Sequence, residues 1–387
     1  MAITIQPYRR EHESAVQEFN RRLQRSSGDR DLVFSETAIP RWLPPTGSNP
    51  VWNEFFVAVE NSTAPDSPAH DSTVHESPVR GAYGLKQESV FIRGKGVHQV
   101  ACYHHALSEG IGDRSYASVG GLLARDALAR QPLLYALGMG GDQTPIARML
   151  QALGFSLTPI PFYFRVVRPA KFLLEIQALR TTQWRAILMN IAATTGTGWL
   201  AIKSAQFASR LRGRSGDFVA EEIVEFSEWA DDLWNHAKDA VSLAAVRDTN
   251  TLRLLYPVHV GSVKRLRVSR NGAAIGWAIV GERRKDSKFG RMRVGSIVDC
   301  WASPENAAMV VKAASQALEK DGVDLIVSNQ SHRVWCRAFE VAGFLKGPST
   351  FVFAASKKLT ELLQPIEQNR ELFHITRADG DGLPANF

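Results

Sequence analysis

Two short stretches decide the fold: Leu150-Gln151-Ala152-Leu153-Gly154-Phe155 and Phe339-Glu340-Val341-Ala342-Gly343-Phe344. Each closes a stretch with helical spacing, Thr144 to Leu153 in the first case and Arg333 to Ala342 in the second. A glycine just past the last helical residue stops a helix because it takes the left-handed conformation without a Cβ clash. An aromatic-rich strand comes after each ending, Pro161 to Val167 and Thr350 to Ala354. One pattern found twice in one chain implies a duplicated fold.

Working outward from the first ending, a strand Leu133 to Leu137 and a helix Val119 to Arg130 come before it. Earlier still lie strands Val97 to Leu107, Gly81 to Leu85, Phe55 to Glu60 and Ile3 to Gln6, and a helix whose Ala15, Val16, Phe19 and Leu23 recur at helical spacing. Asn61 to Pro78 is rich in Ser, Thr and Pro, cannot bury enough apolar surface to order itself, and reads as a hairpin tip. Around the second ending come a helix Ser227 to Lys238, a strand Lys264 to Arg270, the turn signal Asn271-Gly272 and a strand Ala273 to Val280. A strand Gly295 to Trp301 then leads into a helix with Ser303 as cap and Pro304 first, and a strand Asp324 to Ser328 comes next. The expected class is α+β: two units, 1–168 and 219–387, each an antiparallel sheet with inserted helices, joined by a mostly helical bridge, 169–218.

Composition is consistent with this. A chain of 387 residues exceeds what one core holds, and 44% hydrophobic with 22% charged residues excludes a disordered, collagen-like or multi-span membrane protein. Three cysteines without a CxxC pair support neither a disulfide framework nor a zinc ribbon, and fit a reducing cytoplasm. The amino terminus lacks the apolar core of a signal peptide. Ala186 to Ile202 is uncharged over 17 residues, yet it is shorter than a span and contains Asn190, so a buried helix or interdomain hairpin is expected. The alternative is a membrane-surface helix beside Arg210, Arg212 and Arg214, which would make a cytoplasmic protein peripheral to the inner membrane.

The net charge of +7 is concentrated: eleven basic residues and two acids between Arg253 and Arg293 give that segment +9, leaving −2 elsewhere. On its first strand Arg265 and Arg267 share one face and Leu266 and Val268 the other, and Arg283 and Arg284 with Lys285 and Lys288 occupy the next loop. The segment reads either as a solvated sheet edge or as a site where Arg265, Arg267, Arg283 and Arg284 bind an anionic substrate such as an acidic saccharide, or an anionic surface. Sparse aromatics and the lack of helix-turn-helix or zinc-finger spacing argue against nucleic acid. Asp379 and Asp381 have the Asp-x-Asp spacing of a cation site but no adjacent third ligand, so no metal is expected.

The order strand, helix, hairpin strands, strand, helix, strand, helix ending in Gly-Phe, strand resembles the GNAT (GCN5-related N-acetyltransferase) fold, here twice, over 2–168 and 219–360. Val246-Arg247-Asp248-Thr249-Asn250-Thr251-Leu252, which enters the second half, is similar to tandem members. The resemblance implies a donor, acetyl-CoA or another acyl-CoA, held where a strand turns through a glycine-rich loop into a helix N-terminus. That loop would comprise Arg114, Ser115, Tyr116, Ala117, Ser118, Val119, Gly120 and Gly121; Arg114 matches, Ala117 and Val119 replace the two glycines, and Gly120 and Gly121 come one or two positions late. In the second half Trp301-Ala302-Ser303-Pro304-Glu305-Asn306 has neither glycine nor arginine, and Glu305 would repel phosphate, so the donor site is assigned to the first half.

Many members carry a Tyr four residues before the Gly as acid for the CoA thiolate; Leu150 and Phe339 stand there instead. His104, His105 and Glu109 are the implied candidates for general base, and strand alternation lets only one of the histidines face the cleft. Asp299 is their counterpart in the second half, with Cys300 beside it. The function implied is N-acylation of an amino group on a small-molecule or saccharide acceptor, such as a sugar of a bacterial envelope polysaccharide. Two other classes stay open: a non-catalytic GNAT-like binding or scaffold protein, and an aminoacyl transferase fed by charged tRNA.

Overall fold

The computed structural model describes residues 2–29, 32–40, 42–45, 47–61, 77–175, 204, 217–282 and 289–380. Most of the expected hairpin tip and of the expected bridge, together with Arg283, Arg284, Lys285 and Lys288, lie outside the described residues. The chain divides into two compact units.

The first unit comprises Met1–Ser89, Gln99–Thr158 and Phe353–Leu362. Its strands β1 (Ala2–Pro7), β2 (Val51–Asn61), β3 (Val79–Ile92), β4 (Gly96–Ser108), β5 (Leu134–Gly138) and β6 (Ser156–Pro159) form a sheet of order β1-β2-β3-β4-β5-β15-β6, where β15 is Val352–Ala355. β1, β2 and β3 run antiparallel, while β4 and β5 run parallel. Helix α1 (Glu13–Ser27) buries Val16, Phe19 and Leu23, at the spacing read from the sequence, against Phe34, Val57 and Ala82 on one face. Helix α2 (Val119–Arg130) puts Val119, Leu123, Ala124 and Ala127 against Ala58, Tyr83 and Ala101 on the other, and α3 (Pro145–Ala152) adds Leu150 there. β2 supplies both clusters because its successive residues Phe56, Val57 and Ala58 alternate sides.

The second unit comprises Val90–His98, Pro159–Val352 and Leu363–Phe387. Its elements are β7 (Phe162–Val166), α4 (Pro169–Glu175), β8 (Val219–Ile223), α5 (Trp229–Ala237), β9 (Leu243–Ala245), α6 (Thr249–Leu255), β10 (Val263–Arg270) and β11 (Ala273–Glu282). They continue with β12 (Val294–Ala302), α7 (Ala307–Lys320), β13 (Leu325–Asn329), α8 (Arg333–Val341), β14 (Leu345–Gly347) and β16 (Phe373–His374). The seven-stranded sheet has the order β14-β7-β13-β12-β11-β10-β8. Its core packs Leu266, Val268, Ala278 and Ile297 from the sheet against Val310, Val311, Ala314 and Leu318 of α7 and Trp335 and Phe339 of α8. The β10–β11 turn is the expected one: Asn271 and Gly272 have φ of 51° and 80°.

The helix endings behave as read, with Gly154 at φ 86° and Gly343 at φ 87°. The strands after them depart from the expectation. The sequence pattern puts Phe162–Val166 in the first sheet, but β7 pairs with β13 and β14 in the second, and β15 lies in the first sheet between β5 and β6. The halves therefore exchange their last strands. Pro159 and Pro161 bracket Ile160 between β6 and β7, and Pro348 comes directly after β14. Proline has no N–H to give a ladder, so a strand ends at each of these points and the next can join a different sheet. Among the described residues no helix is long and apolar enough to cross a membrane.

Candidate functional site

The β4–β5 ladder spans two pairs, Ala101↔Leu134 and Cys102↔Tyr135. Beyond it, Tyr103–Ser108 and Ala136–Gly138 are no longer paired with each other, so the strands part there, and the chain leaves β5 through Gly138, Met139, Gly140 and Gly141, all at positive φ. Tyr103, the first residue past the ladder, is buried with its hydroxyl lacking a hydrogen-bond partner among the described residues, and burial pushes its pKa up.

Two residues further on, β4 breaks its alternation. His105 has φ 47°, a conformation that costs an L-residue about 1–3 kcal/mol. The resulting twist brings consecutive side chains to the same side, with ring centroids of His104 and His105 5.1 Å apart and their Nδ1 atoms 3.0 Å apart. The expectation that one of the two faces away is overturned, because alternation holds only for extended backbone. His104 is buried and His105 exposed. His104 Nε2 lies 2.8 Å from Asn53 Oδ1 of β2. Gly84 of β3 makes room for this ring: a Cβ there would come within 2.5 Å of His104 Cε1 and Nε2. Burial, then His105 and Lys86, hold the His104 pKa well below its usual value, so the ring is neutral.

Lys86 and Glu88, two apart on β3 and so on one face, are buried and 3.3 Å apart, and the Tyr135 hydroxyl donates to Glu88. Lys86 sits opposite Asn53 in the β2–β3 ladder. Asn53, Lys86, Glu88 and Tyr135 thus join the histidines in a polar cluster inside an otherwise apolar sheet. Sequence reasoning passed over all four. The available signal was the run Lys86-Gln87-Glu88 in the middle of a strand, since buried charges occur mainly where they are paired.

Glu109 has another place. It is buried in a short 3-10 turn after β4, where it accepts from Arg22 Nε at 2.8 Å and from Arg80 at 2.9 Å; Arg80 also binds Glu60 at 2.7 Å. Both carboxylate oxygens are engaged by guanidinium groups, which favours an ion-pair role over proton abstraction. Arg80 further covers the Tyr116 ring at 4.4 Å, so Tyr116 is buried packing.

The segment read as a phosphate loop is split. Arg114–Tyr116 form a 3-10 turn in which Asp113 caps the Ser115 N–H at 2.9 Å, and α2 begins at Val119, whose side chain is core. Arg114, Ser115, Ala117 and Ser118 are exposed. Gly120 and Gly121 fall in the first turn of α2. That turn has no acidic residue and no side-chain cap, and its first i to i−4 bond is Leu122 N to Ser118 O at 3.1 Å. A Cβ on Gly121 would meet nothing within 4 Å. Uncapped N–H groups at a helix start can receive an anion such as a pyrophosphate.

The second unit closes the equivalent place. Its β12–β13 ladder ends at Ser296↔Val327, and Asp299 stands three residues past Ser296, as His105 stands three past Cys102. Residues 373–379 lie between the diverging strands. Thr376 bridges to Gln330 after β13, and its hydroxyl donates to Asp299 Oδ1 at 3.2 Å on β12. His374 packs between Trp301 (4.9 Å) and Trp335 (5.5 Å). Arg247 binds Asp299 at 2.8 Å and also Asp379, and the Tyr256 hydroxyl donates to Asp299 at 2.8 Å. Asp379, expected as half of an Asp-x-Asp pair, thus faces a guanidinium. Cys300 is buried and its pKa is pushed up by that burial, which keeps it a thiol. At the helix start, Ser303 donates to Glu305 at 2.6 Å and holds that carboxyl below its usual range. Leu150 and Phe339 are both fully buried core residues.

The described part of the basic segment is largely paired in space. Arg265 is buried and donates to the carbonyls of Tyr256 (2.8 Å) and Pro257, which contradicts its expected role on an exposed substrate face. Burial lowers the pKa of its guanidinium against the opposing pull of Glu222 and Glu225. Arg267 pairs with Glu221 at 3.4 Å, Lys264 with Asp321 at 2.6 Å, Arg291 with Glu175 at 3.2 Å and Arg293 with Glu282 at 2.6 Å. Three of these carboxylates, Glu175, Glu221 and Asp321, come from outside the segment and offset part of the excess that composition concentrated there.

No family model and no curated protein matches the sequence. Among solved structures, Saccharomyces cerevisiae N-myristoyltransferase with bound myristoyl-CoA is similar over 92% of this chain and 78% of that one, at 9% identity and a TM-score of 0.50. A GCN5-related N-acetyltransferase from Anabaena variabilis is similar over 91% and 72%, at 10% identity and 0.49. A tandem GNAT protein from the clavulanic acid biosynthesis pathway is similar over 92% and 98%, at 13% identity and 0.47.

Proposed function

We propose that this protein, whose two halves have a tandem GNAT-type fold, is an acyl-CoA-dependent N-acyltransferase with one working site, in the first half. The observation that carries this reading is the contrast between the two strand divergences. The first presents a bulged histidine pair, an orphaned tyrosine hydroxyl and an uncapped helix start; the second is filled by residues 373–379. The acyl-CoA pyrophosphate would meet the N–H groups at the start of α2, with Arg114 as its cation. The acceptor amine attacks the thioester carbonyl, the C–N bond forms, and the C–S bond breaks to release CoA thiolate. His105 takes the proton lost by the attacking amine. With Leu150 in the core, the thiolate takes its proton from solvent, and a thiol pKa near about 8.5 makes that sufficient in mildly alkaline solution.

The expected acceptor, an amino group of a small molecule or of an envelope polysaccharide sugar, is the first class to assay. The scaffold reading predicts no donor binding. The tRNA-fed reading loses support because the described part of the basic segment is largely ion-paired. Titration calorimetry with acetyl-CoA and longer acyl-CoAs tests the proposal. One site per chain is expected, weakened by about tenfold, or ~1.4 kcal/mol, in Arg114→Ala. Absence of binding by every acyl-CoA at millimolar concentration would refute it in favour of the scaffold.

A further inference from the structure

Resting on that assignment of His105, we infer that Asn53 and His104 are positioning residues that fix the proton on His105 Nδ1, so that His105 presents Nε2 as its lone-pair nitrogen. The chain of hydrogen bonds runs outward from the core. Asn53 Oδ1 is an acceptor, so the His104 nitrogen 2.8 Å away must carry hydrogen. A neutral imidazole has one N–H, and burial keeps His104 neutral, so its other nitrogen, Nδ1, is an acceptor. The His105 Nδ1 atom 3.0 Å from it must then be the donor. In a neutral His105 that leaves the lone pair on Nε2.

When His105 accepts a proton at Nε2, its Nδ1–H bond to His104 is retained. The positive charge then faces a neutral ring acceptor, and Asn53 needs no rearrangement. The reverse orientation of the Asn53 amide would reverse every step and put hydrogen on His105 Nε2, leaving it unable to act as a base. One buried amide thus decides whether the exposed histidine is competent. Among the described residues, the charged and titratable groups around the pair include Lys86 and Glu88 on β3 and Tyr135 on β5; β2 contributes the neutral Asn53 and Phe55, whose ring stands edge-on to His104 at 6.3 Å. Gly84 is part of the device, because a Cβ there would push His104 off its partner.

The test uses the full-length protein with selective 15N-histidine labelling, the two rings being assigned by loss of signal in His104→Gln and His105→Gln. Nitrogen shifts and two-bond couplings at pH 8 should report His104 protonated at Nε2 and His105 at Nδ1. Asn53→Leu should abolish that ordering and Asn53→Asp, which still accepts, should preserve it. Gly84→Ala, a second route to the same break, should act as Asn53→Leu does. In turnover, Asn53→Leu should lower kcat at least tenfold with KM for acyl-CoA unchanged, and Asn53→Asp should restore most of it. His105 protonated at Nε2 in the unmodified protein, or unchanged tautomers and kcat in Asn53→Leu, would overturn the inference. If the tautomers are as stated and no acyl-CoA is bound or consumed, the acyltransferase reading fails and the proton arrangement stands.

Discussion

Replacing Arg247 by Met should destabilise the second unit far more than removal of a surface arginine would. Its side chain is 4% exposed and that of Asp299 is 1% exposed; the guanidinium meets Asp299 through Nε and Asp379 through a terminal nitrogen. Methionine fills similar space and leaves two buried carboxylates without their cation, which costs about 3–5 kcal/mol in comparable buried pairs. For a unit of this size, with m near 2–3 kcal/mol per M urea, the midpoint should fall by roughly 1.5 M. Tryptophan fluorescence is a suitable probe, because Trp234, Trp301 and Trp335 are buried in that unit. Adding Asp299→Asn and Asp379→Asn to Arg247→Met should recover most of the loss, since the orphaned charges go with the cation. The deficit of the single variant should also shrink as pH is lowered, because protonation removes the same charges. A midpoint within about 0.3 M of the unmodified protein, or a triple variant no better than the single, would refute the view that this guanidinium latches residues 373–379 between β12 and β13.

Three further outcomes are expected. His374 and His332 are buried with pKa values lowered to about 3 and about 4 from 6.5, so the unfolded chain binds more protons below pH 6.5. Their contribution to stability is complete above pH 6.5 and is lost as pH falls through those folded values; denaturation between pH 7 and 4 should show a declining midpoint that His374→Gln flattens. Glu109→Gln should cost about 2–3 kcal/mol, below the full buried-pair range because Arg22 and Arg80 keep some solvent contact. It should leave kcat of the folded protein within about twofold, whereas a tenfold loss would return Glu109 to the chemistry. Acyl-CoA should bind the unmodified protein with a stoichiometry of one, as read by calorimetry, and a second site in it would contradict the closure of the second divergence.

Elements whose signal is local were readable from the chain. Gly154 and Gly343 ended their helices, Asn271-Gly272 made its hairpin turn, and Val16, Phe19 and Leu23 faced a core. The placement of β7 and β15 was not readable, because an aromatic strand carries no mark of which sheet it will join. Arg265 illustrates the same limit at a side chain: alternation correctly put it opposite Leu266 and Val268, yet the carbonyls of Tyr256 and Pro257 that bury it come from a turn before the strand. His104 and His105 were singled out from sequence, but a rule about extended backbone separated them, and only the φ of 47° at His105 brings them together.

By itself the sequence determined that the chain is a duplicated α+β protein, since helix stops, turn dipeptides and apolar spacing act over a few residues and report themselves. It also pointed to the first half for a donor, through Arg114 and the absence of any equivalent before Pro304. Tertiary structure decided which charges matter. The +9 segment is offset by Glu175, Glu221 and Asp321, acids the linear count placed outside it, and Glu109 is held by Arg22 and Arg80. It also decided that the second half is closed by its own residues 373–379. Pairing of buried charges and filling of a cleft depend on groups tens to hundreds of residues apart, and no local pattern in the chain records which of them will meet.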